Sequence, residues 1–184
     1  MSKIVLIDYG MGNLNSVKKK LDRLKTDSLI TRDEKEILGA DKLIIVGVGH
    51  FAKAMKNIED LNLIDVLNEV VLIKKKPILG ICLGMQLMAT HSEEGDYSGL
   101  NWIEAEVKRI QVNDPIKFKV PHTGWNEIIQ KKQSSLMNDI PNNAEFYFVH
   151  AYYFEPKNPD YVLNETDYAL NFTSAVEKEN IFGV

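Results

Sequence analysis

Two hydrophobic periods alternate along the first half of the chain. Residues 3–8 are a short β-branched run that ends at Gly10 and Gly12. Residues 13–25 then carry Leu14, Val17, Leu21 and Leu24 at helical spacing, with Lys and Arg on the opposite face. Ser28–Thr31 reads as a short strand, and residues 42–46 as a strand bounded by Gly47 and Gly49. Residues 51–74 are helical with a break near Asn62, residues 77–81 are a strand, and residues 83–91 are a helix. Strands separated by helices imply right-handed crossovers and a parallel sheet.

The second half changes period. Residues 102–111, 124–130, 145–154, 169–176 and 181–184 all read as strands, separated by turn-rich pieces such as Asn113-Asp114-Pro115 and Pro141-Asn142-Asn143. An antiparallel or mixed layer added to the parallel sheet accounts for them. With 184 residues and no linker, repeat or low-complexity stretch, the chain reads as one domain spanning residues 1–184.

Composition narrows the classes. A net charge of -4 gives no electrostatic case for nucleic acid or an anionic membrane surface. No apolar run reaches the length of a membrane span. The single cysteine, Cys82, permits no internal disulfide, which fits a cytoplasmic location. The four histidines have no metal-ligand spacing, so no metal and no cofactor are expected.

Cys82 is where the chemistry concentrates. It stands between the strand at 77–81 and the helix at 83–91, with Gly80 and Gly84 two residues to either side. That is the spacing of a nucleophile elbow, a sharp strand-to-helix turn that lifts a reactive side chain clear of the backbone. A helix N-terminus beside the sulfur favours the thiolate. The competing reading, a buried structural cysteine, does not explain the paired glycines. A cysteine nucleophile suits acyl transfer through a thioester, and that chemistry needs preorganised N–H donors for the oxyanion. The N–H of Leu83 is one candidate, and the loop Gly47-Val48-Gly49, at the carboxyl edge of the sheet, is the other. Asp8-Tyr9-Gly10-Met11-Gly12-Asn13 lacks the spacing of a nucleotide loop and reads as a tight turn, with Asn13 as a cap or surface contact. The aromatic groups in residues 121–126 and 147–153 read as core, unless a Trp or Tyr is exposed for a partner.

Ile7-Asp8-Tyr9-Gly10-Met11-Gly12-Asn13-Leu14, Gly47-Val48-Gly49-His50-Phe51, Gly80-Ile81-Cys82-Leu83-Gly84-Met85-Gln86, Pro121-His122-Thr123-Gly124-Trp125-Asn126 and Phe148-Val149-His150-Ala151-Tyr152 occur in that order. Together they resemble the class I, triad-type glutamine amidotransferases, and within them the glutaminase subunits of imidazole glycerol phosphate synthase. The resemblance implies a flavodoxin-like α/β fold with a central, mostly parallel sheet, flanking helices and an added antiparallel layer. It implies that Cys82 attacks the side-chain amide of glutamine and releases ammonia, with Gly47, Val48, Gly49 and Leu83 forming the oxyanion hole. Gln86, Ala151 and Tyr152 would hold the glutamine. Ammonia would pass to a (β/α)8 cyclase subunit, and Asn13, Trp125 and Tyr147 match positions at or near that interface.

Departures from the family pattern are also present. Val46 stands where the family has Pro, His50 where it has Ala, and Ala151 where it has Ser or Thr. The family strand matching 181–184 runs on into Gln-Phe-His-Pro-Glu, whose His is the base and whose Glu orients it. The chain stops at Val184, so both, with the C-terminal end of the fold, are expected to be missing, and His50, His91, His122 and His150 align elsewhere. On this reading the chain by itself hydrolyses essentially no glutamine. Two alternatives follow: a paralogous subunit that supplies ammonia to a sugar-modifying amidotransferase in surface-polysaccharide synthesis, and a non-catalytic binding subunit.

Overall fold

A computed structural model describes residues 2–184. The elements in chain order are β1 (Ile4–Ile7), α1 (Leu14–Arg23), β2 (Ser28–Thr31), α2 (Glu34–Leu38), β3 (Lys42–Gly47), α3 (Phe51–Asp60) and α4 (Ile64–Asn68), which runs on into a π-helical turn at Glu69–Ile73. Then come β4 (Ile78–Cys82), α5 (Leu83–Gln86), β5 (His91–Ser92), β6 (Tyr97–Ser98), β7 (Ala105–Arg109), β8 (His122–Glu127) and β9 (Ile129–Gln130). The last are β10 (Glu145–His150), β11 (Tyr152–Pro156), β12 (Val162–Tyr168), β13 (Leu170–Lys178) and β14 (Ile181–Gly183).

The main sheet runs β2-β1-β3-β4-β14-β13-β11-β7-β5-β6, with β12 and β9 branching from β13. From β2 to β14 the strands are parallel. Beyond β14 the neighbours β13, β11 and β7 pair antiparallel. Strands β8 and β10 form a separate two-stranded ribbon.

Side-chain alternation builds the layers. Val5, Ile7 and Ile45 face one side of the sheet, where they pack with Phe51, Met55 and Ile58 of α3 in the main core. Leu6, Ile44 and Val46 face the other side and meet Leu14, Val17 and Leu21 of α1. Strands buried on both faces read as continuous apolar runs, as β3 does. The Asn13 side chain caps α1 by accepting from the Ser16 N–H at 3.3 Å.

Several expected boundaries moved. The helix leaving the elbow is only Leu83–Gln86, and His91 lies on a strand. Residues 145–154 divide at Ala151 into β10 of the ribbon and β11 of the main sheet. Strand β12 and the short α2 went unread: Val162–Tyr168 carries Asn, Glu and Asp among its apolar residues, and α2 is too short to show a period.

Candidate active site

Strands β1, β3 and β4 end at one edge of the sheet, so the loops after Ile7, Gly47 and Cys82 converge there. Gly47 pairs directly with Cys82 in the β3–β4 register. Cys82 takes φ 55° and ψ -115°, left-handed backbone that a non-glycine residue adopts only where its surroundings enforce it. The surroundings here are the two glycines. A Cβ on Gly80 would stand 2.6 Å from the Gly84 carbonyl oxygen, and one on Gly84 would overlap the Ile45 carbonyl. The sharp turn therefore exists because α5 can lie directly on β3 and β4.

The backbone N–H of Cys82 donates to the Val184 carbonyl at 2.7 Å, so the end of β14 lies beside the elbow. Cys82 is half-buried, and burial pushes its thiol up, while the Leu83 N–H, directed at the sulfur, pulls it down. Of these two influences desolvation is the larger, in keeping with the buried first turn of α5.

The 47–49 loop is pinned at its base and open at its tip. Gly47 is buried against Tyr9 and Leu83, with no room for a Cβ. Val48 is 57% exposed, and Gly49 has φ +114°. The Glu94 carboxylate accepts from the Phe51 N–H at 2.8 Å and so caps α3, a task the His50 side chain does not perform. Glu94 holds the exit of the loop, a role sequence reasoning missed. No local pattern marks it, because Glu94 is 43 residues away along the chain.

An apolar cavity of about 400 Å³, walled in part by β10, brings Cys82, Gln86 and Tyr152 together. Gln86 is nearly buried, and its Nε2 donates to the Tyr152 carbonyl at 3.1 Å, which leaves its Oε1 as an acceptor. Ala151 gives its carbonyl to the Ile110 N–H at 2.9 Å and lies between β10 and β11. Val48 and Gly49 are not among the cavity-lining residues.

Three of the four histidines are engaged with partners other than Cys82. His50 is exposed at the start of α3. His91 lies between Asp96 and Glu106, and both carboxylates raise its pKa. His150 lines the cavity, but its Nδ1 bonds to the Tyr152 carbonyl at 2.9 Å and its Nε2 to His122 Nδ1 at 3.0 Å. Among the described residues no histidine side chain hydrogen-bonds Cys82, and no group of three or more His, Cys, Asp or Glu could hold a metal ion.

On the outer face of the ribbon, Trp125 and Tyr147 are directly opposed across β8 and β10, 69% and 58% exposed, with ring centroids 5.7 Å apart edge to face. Asn13 is exposed on the β1–α1 loop. Among the described residues no helix is long and apolar enough to cross a membrane.

Residues 5–184 match the family described as glutamine amidotransferase class-I. The chain is 44% identical over 181 residues to imidazole glycerol phosphate synthase subunit HisH 2 of Methanococcus maripaludis, covering 98% of this chain and 89% of that protein. It is 42% identical to the subunit HisH 2 of Pseudomonas aeruginosa, over 98% of this chain and 88% of that one. It is 44% identical to the subunit HisH of Moorella thermoacetica, over 100% of this chain and 86% of that one. Its fold is similar to a crystal structure of a glutamine amidotransferase, with TM-score 0.73 and 16% identity over 97% of this chain and 87% of that one.

Proposed function

The chain belongs to the class I glutamine amidotransferases, and we propose that it is the glutamine-hydrolysing subunit of an imidazole glycerol phosphate synthase in histidine biosynthesis. One observation carries the reading: Cys82 sits on a left-handed elbow and shares a cavity with Gln86 and Tyr152.

The Cys82 sulfur attacks the side-chain carbonyl carbon of glutamine. The C–N bond breaks, the thiol proton leaves with the nitrogen as ammonia, and water then cleaves the glutamyl thioester to glutamate. The N–H groups of Leu83 and of the Gly47-Val48-Gly49 loop bind the developing oxyanion. Gln86 Oε1 and the main chain at Ala151 and Tyr152 hold the amino-acid end of the substrate. The resemblance puts the base on the line of β14 beyond Val184, and β14 reaches the elbow through the Cys82–Val184 hydrogen bond. The chain acts as one amidotransferase domain in the cytoplasm.

The partner is a (β/α)8 cyclase subunit that receives the ammonia, docked on the face that carries Trp125 and Tyr147, with Asn13 at its margin. An exposed aromatic pair with the exposed Val149 on the same face is the composition of an interface core. Val46 and His50, which differ from the family pattern at the oxyanion loop, and Asn101 in Gly99-Leu100-Asn101-Trp102 are the grounds for a second reading, which they do not decide, in which the ammonia goes to a sugar-modifying amidotransferase. Sedimentation of the chain with each candidate separates the two. A one-to-one complex with the cyclase barrel alone is expected. A complex with the sugar-modifying enzyme alone would overturn the histidine assignment.

A further inference from the structure

His150 lines the cavity and hydrogen-bonds a second histidine, His122, outside that lining, and the hydrolysis uses neither. Their hydrogen bonds fix the proton positions. The Tyr152 carbonyl can only accept, so His150 Nδ1 carries a proton and donates to it at 2.9 Å. In a neutral ring His150 Nε2 is then bare, and it accepts from His122 Nδ1–H at 3.0 Å. His122 Nε2 is bare in turn, and Asn126 Nδ2 approaches it at 3.5 Å while donating to the Asp167 carbonyl at 2.9 Å. The Asn126 amide is oriented by its Oδ1, which accepts from the Glu127 N–H at 2.9 Å.

The chain of bonds has two meaningful ends. At one end the Tyr152 carbonyl accepts from both His150 and Gln86 Nε2, so the histidine helps to decide which way the Gln86 amide faces. At the other end His122 and Asn126 lie on β8, on the inner side of the ribbon whose outer side carries Trp125 and Tyr147. Packing locks the rings: His122 stacks on Tyr168 at 3.8 Å and on Phe148 at 5.1 Å, and Phe172 lies 4.9 Å from His150. Burial lowers the pKa of both histidines, which keeps them neutral.

We propose that His150 and His122 are a positioning pair: they set the Tyr152 carbonyl, and through it Gln86, and tie that setting to the β8–β10 ribbon. The proposal rests on the glutaminase reading of the cavity. It gives a physical path by which a partner docked on Trp125 and Tyr147 alters the glutamine site without touching substrate.

A chloroketone analogue of glutamine that alkylates Cys82 separates binding (KI) from reactivity (kinact). Truncating a buried hydrogen-bond partner is worth about tenfold in affinity. His150→Phe and His122→Phe are therefore expected to raise KI about tenfold with kinact little changed. His150→Asn, which keeps a donor at the Nδ1 position, is expected to stay near the parent. Nitrogen-15 spectra of the parent at neutral pH are expected to show both imidazoles protonated at Nδ1. A KI unchanged in folded His150→Phe, or protonation at Nε2 of either ring, would overturn the pair. A parent chain that iodoacetamide alkylates but the analogue does not would overturn the glutaminase reading, and the pair with it.

Discussion

The hydroxyl of Tyr9 donates to the backbone carbonyl of Val46 at 2.9 Å, inside the core and at the base of the 47–49 loop. Burial, with Cys82 nearby, raises the Tyr9 pKa far above the usual phenol range, so the hydroxyl stays a donor. Tyr9→Phe leaves a carbonyl unpaired in the core and is expected to cost about 1–2 kcal/mol in urea denaturation. Because the same bond anchors the loop, the variant is also expected to slow Cys82 alkylation by the glutamine analogue more than it weakens binding.

Gly84→Ala tests the elbow's geometry. The added methyl would overlap the Ile45 carbonyl, which belongs to a central strand and has nowhere to go. A loss of about 3 kcal/mol of stability is expected, at the upper end of the range for overpacking. A melting curve that matches the parent would mean that α5 does not lie on β3 as described.

Acid is expected to weaken the fold through the histidine pair. The pKa of His122 falls from 6.5 to about 4, by burial and by the neighbouring His150, and that of His150 falls too. The unfolded chain therefore binds protons that the folded chain refuses. Stability is complete above about pH 6.5 and declines as pH falls towards 4, by roughly 3 kcal/mol for His122. His91, raised by Asp96 and Glu106, works the other way, and its contribution is lost as pH rises through its folded pKa. Urea titrations across this range are expected to show a smaller acid loss in His122→Asn than in the parent.

Trp125→Ala and Tyr147→Ala are expected to leave the melting temperature unchanged, since both side chains are exposed. Each is expected to weaken binding to the cyclase barrel by about 2 kcal/mol, close to thirtyfold in Kd, as for aromatic residues central to an interface. Scanning calorimetry reads the melting temperature and isothermal titration the Kd.

The sequence displays what short-range pattern encodes. The parallel half was legible from alternating periods, and the elbow from the symmetric spacing of Gly80 and Gly84 around Cys82. The break near Asn62 was legible too, and the structure gives that residue φ 55°. Relationships between distant segments were not legible. The meeting of Glu94 with Phe51, of His122 with His150, and of Gln86 with the Tyr152 carbonyl depends on how separate strands stack. The aromatic runs at 121–126 and 147–153 read as core because each strand alternates in and out, and the sequence does not say which face is covered. The structure divides them, with His122, Phe148 and His150 inward and Trp125, Tyr147 and Val149 outward.

The most direct test of the account is the intact mass of the chain after incubation with the chloroketone analogue of glutamine. The account expects a single adduct on Cys82, absent in Cys82→Ser, with labelling slowed by excess glutamine and not by asparagine. An adduct that forms equally fast with glutamine present, or that persists in Cys82→Ser, would contradict the assignment of Cys82 as the nucleophile of a glutamine site.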